Sequence, residues 1–181
     1  MLWITTPAVE LWDEDEEKFI RVKSQKLQLE HSLVSLSKWE SKWEKPFLSS
    51  KNKTDEEVLD YIKCMTLTQN VDPLVYSCLT DDNIKKVNKY IEAPMTATRF
   101  SDDGDSKKNR EIVTAELIYF WMITLNIPID QCQKWHLNRL MTLIRVCSIK
   151  NQPPKKKSNR DIMRSNAALN AARRKKHNTR G

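Results

Sequence analysis

Glycine is almost missing from this chain: of 181 residues only Gly104 and Gly181 are glycine. A fold of many short strands needs tight turns with positive φ, which glycine supplies most cheaply, so the shortage favours helices over a many-stranded sandwich. The same shortage argues against a Gly-rich loop that cradles phosphate. Long apolar runs are missing too. The longest, Leu117 to Ile123, falls far short of the roughly 18 residues a membrane span requires, so no membrane partner is expected. Met1 leads into Leu-Trp-Ile-Thr-Thr-Pro with neither a basic start nor an extended apolar stretch, so no secretory signal is expected.

Closely spaced metal ligands are also scarce. Cys64, Cys78, Cys132 and Cys147 contain no pair at the spacing of a zinc ribbon or a redox dithiol. Each sits in an apolar pattern, which predicts buried, reduced thiols. His31, His136 and His177 have no partner at the i+4 spacing of a helical zinc site. His136 reads as a helix-surface or satisfied core residue. Asp102-Asp103-Gly104-Asp105 lacks the alternating ligands and distal Glu of a calcium loop. No nucleophile, base or carboxylate pair stands out, so no catalytic residue, no metal, no cofactor and no enzymatic activity are expected.

Charge is present but unevenly placed. The net +7 divides into +9 over residues 151–181, where ten Lys or Arg face the single acid Asp161, and −2 over the first 150 residues. The chain is therefore a nearly neutral body with a strongly basic tail. The periodicity divides it further. Residues 1–36 alternate loosely, as in Phe19, Ile20 and Val22 against Lys18, Arg21 and Lys23, which predicts an antiparallel sheet of three or four strands. The acidic run Asp13 to Glu17 reads as a solvated turn within it.

From residue 37 the period becomes helical. Ser37-Lys38-Trp39-Glu40 and Thr54-Asp55-Glu56-Glu57 have the spacing of capping boxes, and Thr80 or Asp81 can cap a third helix. Ser101 to Asn109 reads as a polar loop. Glu111 to Asn126 is apolar almost all round, which predicts a central helix. Pro128 separates it from a helix expected over Ile129 to Ile149. Pro153-Pro154 ends the body, and Asn159 to Lys176 has strong helix formers without a firm apolar stripe. The expected architecture is α+β, mainly α: an N-terminal β segment (1–36), a helical body (37–150) and a basic C-terminal helical or disordered arm (151–181).

Two groups of residues are candidates for partner binding. Trp39 and Trp43, one turn apart among charged neighbours, read either as anchors for a partner or as pins holding a short helix to the body. Lys155, Lys156, Lys157, Arg173, Arg174, Lys175 and Lys176 form the two basic clusters of the tail. No aromatic residue interleaves them, so nucleic-acid stacking is not indicated. An acidic segment of a partner, or the Asp13 to Glu17 turn of another copy, is the expected counterpart.

Three segments, Ser35-Leu36-Ser37-Lys38-Trp39-Glu40-Ser41-Lys42-Trp43-Glu44-Lys45-Pro46-Phe47-Leu48, Asp60-Tyr61-Ile62-Lys63-Cys64-Met65 and Trp135-His136-Leu137-Asn138-Arg139-Leu140, together with Ser165 to Arg174, resemble the tail assembly chaperones of long-tailed bacteriophages. The resemblance spans most of residues 35–181. It implies a protein of the infected host cell's cytoplasm that coats the tape measure protein, keeps its apolar helices from aggregating and helps recruit tail tube subunits. It carries over no catalytic or ligand residue. Two other functions fit the same composition: a structural virion component such as a connector or tail-completion protein, and a packaging or regulatory protein that uses the basic tail on DNA.

Overall fold

A computed structural model describes residues 1–13, 17–49, 52–100, 111–152 and 159–177. The expected polar loop from Ser101 to Asn109, the middle of the acidic run and Lys155 to Lys157 lie outside them. The chain is α+β and mainly helical. Met1–Ser148 form one compact unit and Ile149–Gly181 a second.

Four short strands open the first unit, but not as a single sheet. β1 (Leu2–Thr5) pairs antiparallel with β4 (Lys26–Leu29), and β2 (Val9–Asp13) pairs antiparallel with β3 (Lys18–Val22). In both ladders the numbers of paired residues add to 31, so the two ladders are consecutive stretches of one long hairpin. Pro7 interrupts it, because proline has no N–H to offer a ladder. Thr6 holds the register at the break: its N–H donates to Gln25 O at 3.0 Å, and its carbonyl accepts from Ser24 Oγ at 2.6 Å. The core-facing parity changes across the break. Ile4, Leu27 and Leu29 are buried in the inner ladder, whereas Val22 is buried in the outer one.

The hairpin passes directly into α1 (Leu33–Trp43), earlier than its sequence predicts. The N-cap is Ser32, not Ser37. Ser32 Oγ accepts from Ser35 N at 3.3 Å, and Ser35 Oγ accepts from Ser32 N at 2.9 Å. Ser35 thereby takes the part that Glu or Gln plays in a capping box. Leu33 and Leu36 then extend the stripe of Trp39 into the core.

Glu40, freed from that expected role, performs a longer-range one. Its buried carboxylate accepts from Phe47 N at 2.8 Å and from Ala115 N at 2.7 Å. Ala115 opens α4 (Ala115–Thr124), so the carboxylate sits against the positive end of that helix and offsets its dipole. Hydrogen bonds to a charged acceptor contribute about 1.5–3 kcal/mol each. Glu40→Ala is expected to lower unfolding stability by about 3 kcal/mol, read as a shift of the urea midpoint at unchanged slope. A shift under about 0.5 kcal/mol, the size typical of a surface site, would contradict this assignment.

α2 (Asp55–Met65) starts at the predicted capping box of Thr54 and Glu57, and α3 (Asp81–Glu92) starts after Thr80. A 3₁₀ helix, Pro73–Cys78, lies between them. The single helix expected over Ile129 to Ile149 is broken into α5 (Ile129–Cys132) and α6 (Leu137–Asn151). The break has a tertiary cause. Leu137 N donates to His31 O at 2.7 Å, and Ser32 and His136 form an isolated bridge. His136 is therefore a core residue, buried and bonded through Nε2 to Tyr90 O at 3.0 Å. Asn138 Nδ2 donates to Ile91 O and Ala93 O, both at 2.8 Å. Asn138 thus satisfies carbonyls at the end of α3, while His136 adds a second bond to Tyr90 O, which also accepts from Ala93 N at 3.2 Å.

In the second unit, α7 (Asn159–His177) carries Arg174, Lys175 and Lys176 in its last turn, and its described side chains are exposed. Among the described side chains of α7, Met163 and Leu169 are the large exposed apolar ones, and those two alone make no continuous stripe.

A candidate docking face on the first unit

Trp39 and Trp43, expected as anchors or as pins, both lie against α2. Trp39 is 0% exposed, and its Nε1 donates to Glu57 O at 2.9 Å. Trp43 is half-buried, stacks on Trp39 with ring centroids 6.1 Å apart, and donates to Asp60 Oδ2 at 3.0 Å. Phe47 packs edge-on to Trp39 and stacks on Tyr61 at 3.9 Å. Lys42 pairs with Asp60, and Lys45 with Glu57 at 2.6 Å. Trp39, Trp43, Lys42 and Lys45 thus join α1 and the turn after it to α2. The anchor reading of Trp39 is corrected by its burial, since a side chain without surface has nothing to give a partner. Arg173, Arg174, Lys175 and Lys176 are exposed on α7.

Glu30, His31, Tyr61, Tyr90 and His136 form one buried polar junction. Tyr61 Oη and His31 Nδ1 are hydrogen-bonded at 2.6 Å, and Tyr90 Oη donates to Glu30 Oε1 at 2.8 Å. The His31 and His136 rings meet edge-on at 5.1 Å. Burial, with the neighbouring His136 as second cause, pushes the His31 imidazole down to about 3. Burial also lowers His136, against its bond to Tyr90 O, and raises the Tyr61 and Tyr90 phenols. These groups stay neutral near pH 7 and His31 is closed to solvent, so their role is to satisfy one another. Among the described residues every buried side-chain nitrogen and oxygen has a partner. Among the same residues no three His, Cys, Asp or Glu converge on a point that could hold a metal. Cys78 and Cys132 are buried as predicted, whereas Cys64 and Cys147 are half-buried; all four are free thiols. No helix among the described residues is long and apolar enough to cross a membrane.

What the first unit does present is an uncovered apolar helix face. The all-round apolar pattern of α4 predicts a central helix, and that expectation is wrong. Ala115, Ile118 and Met122 face the core, while Phe120 and Ile123 are 60% and 62% exposed. Positions 116, 117, 120, 123 and 124 fall on one side at 100° per residue, so the exposed face is Glu116, Leu117, Phe120, Ile123 and Thr124. Leu117 is half-buried along its margin, and Ile112, just before the helix, is exposed. A second aromatic pair stands on the hairpin, where Trp12 and Phe19 meet edge-on at 4.9 Å and both remain over half exposed.

None of these residues stood out by type or spacing. One signal for α4 was nonetheless present: Glu116 interrupts its apolar run at helical spacing from Phe120 and Ile123, as an outward position would. Burying a Phe and an Ile side chain contributes about 1.5–3 kcal/mol each, so a partner covering this face gains several kcal/mol. Compared with known protein families, with curated proteins and with solved structures, the chain has no match.

Proposed function

We propose that this chain is a non-enzymatic tail assembly chaperone that binds the tape measure protein in the cytoplasm of the infected host cell. The observation that carries the proposal is the exposed Phe120–Ile123 face of α4, in a unit whose buried titratable groups are occupied with one another. A face of that kind suits transient cover for another protein's apolar helices, in the helix-on-helix mode by which amphipathic segments are held. The basic residues of α7 supply a second, electrostatic contact, and the resemblance of residues 35–181 to tail assembly chaperones names the partner. Tail tube subunits are a further partner under this reading.

Co-expression tests it. The tape measure protein is expected in the insoluble fraction when made alone, and in the soluble fraction, co-purifying with this chain, when both are made. Gradient-purified virions are expected to lack the chain. Its presence in virions at fixed stoichiometry would instead make it a connector or tail-completion protein. Tight DNA binding that falls steeply with salt, without tape measure binding, would make it a packaging or regulatory protein.

A further inference from the structure

The exposed face of α4 has a charge as well as a hydropathy. From Glu111 to Gln133 the chain contains Glu111, Glu116 and Asp130 but no Lys or Arg. At the N-terminal end of α4 an open cleft of about 480 Å³ is lined by Glu40, Glu44, Lys45, Ile112 and Glu116, among others. Its charges are not equally available. The Glu40 carboxylate is taken by Phe47 N and Ala115 N, and Lys45 is paired with Glu57. Glu44 and Glu116 are exposed, and neither makes an ion pair among the described residues. The positive end of the α4 dipole does not neutralise them, because Glu40 already faces it. Among the described residues the cleft mouth is therefore negative, and it opens beside the apolar face.

Resting on the reading of this face as a helix-docking surface, we infer that it selects positively charged amphipathic helices. The occupant lays an apolar stripe over Phe120 and Ile123, and Lys or Arg side chains near one end reach Glu116 and Glu44. From Glu116 to Ile123 the face runs about 10 Å along the axis, and the cleft adds to that, so roughly three to four helical turns fill it. An acidic helix with the same stripe would bring like charges together in a partly desolvated contact, which suppresses wrong partners.

Two synthetic peptides of about four turns test the inference, with the same Leu/Ala stripe and either Lys or Glu on the polar face. Each is labelled and titrated with the full-length chain at low salt, following anisotropy. The Lys peptide is expected to bind at least about tenfold more tightly than the Glu peptide. The E44K/E116K double variant is expected to reverse that order, and F120S/I123S to remove binding of both. All four positions are exposed, and circular dichroism checks that both variants fold. Equal affinity for the two peptides overturns the inference, as does an order unchanged in E44K/E116K. Lys-peptide binding that survives F120S/I123S places the contact elsewhere and overturns it as well. The outcome separates from that for the proposed function. Peptide discrimination without tape measure binding rejects only the chaperone reading, whereas tape measure binding without discrimination rejects only this one.

Discussion

Trp39→Ala is expected to lower unfolding stability by about 4 kcal/mol, and Trp43→Ala by about 1–2 kcal/mol. Trp39 is fully buried, contacts Trp43 and Phe47, and donates to the Glu57 carbonyl. Removing it empties a large core volume and leaves that carbonyl without its donor. Trp43 is half-buried, so its removal costs mainly the hydrogen bond to Asp60 and part of the stack. For a unit of this size about 1 kcal/mol moves Tm by roughly 2–4 °C, so the two variants differ by about 4–12 °C. Scanning calorimetry gives the comparison. Near-equal, small shifts accompanied by lost partner binding would restore both residues as anchors.

The second large effect is acid destabilisation before the carboxylates titrate. In the unfolded chain His31 takes up a proton near 6.5, but in the fold burial and His136 hold it neutral until about 3. Between those values the unfolded chain binds the extra proton, so the stability of the neutral ring is fully present above 6.5 and is lost as the pH falls. The slope is about 1.4 kcal/mol per pH unit at most, and the fall from pH 6.5 to 4.5 costs roughly 2–3 kcal/mol. His136, also lowered, adds in the same direction. Asp60 and Glu57 enter only lower. Burial raises Asp60, but the bonds from Lys42 and Trp43 outweigh it, and the bonds from Lys45 and Thr54 lower Glu57. Both are therefore lost below the ordinary carboxylate range. Urea midpoints between pH 7.5 and 4.5 are expected to fall steeply for the natural chain and less steeply for His31→Asn. Parallel curves would rule His31 out as the source.

Local patterns were readable where both halves of an interaction lie close in sequence. The Thr54–Glu57 box and the Thr80 cap are four-residue devices, and both form. Ser37-x-x-Glu40 has the same spacing and does not act so, because α1 already starts at Ser32 and leaves Ser37 inside the helix; Glu40 instead reaches Ala115 N, 75 residues away. The break at Trp135-His136 is equally non-local, since it answers to His31 and Tyr90. The apolar pattern of α4 carries its content but not its surroundings. Hydropathy states that a face avoids water, not whether the same chain or another one covers it. The hairpin's alternation marks its strands, and the switch from Ile20 and Val22 to Leu27 and Leu29 carries the change of parity, but alternation alone does not say that the four strands form one interrupted hairpin and not a sheet. Of the docking face, only Glu116 carried a sequence signal.

Glu30, His31 and Ser32 join the hairpin to α1, and α2, α3 and α6 each tie to one of them. Their bonds reach Tyr61 across 30 positions of sequence and Tyr90 across 60, and the Tyr90 carbonyl is in turn held from His136 across 46. Contacts of such separation form only after the chain between them has been drawn in, so the loop-closure entropy falls before any of them is made. They are expected to open together, since releasing His31 frees the start of α6 and the phenol of α2 at once. Hydrogen exchange of Glu30 and Leu137, whose amides donate to Met65 O and His31 O, therefore belongs to whole-unit opening, and the hairpin base shares its lifetime with helices encoded a hundred residues later.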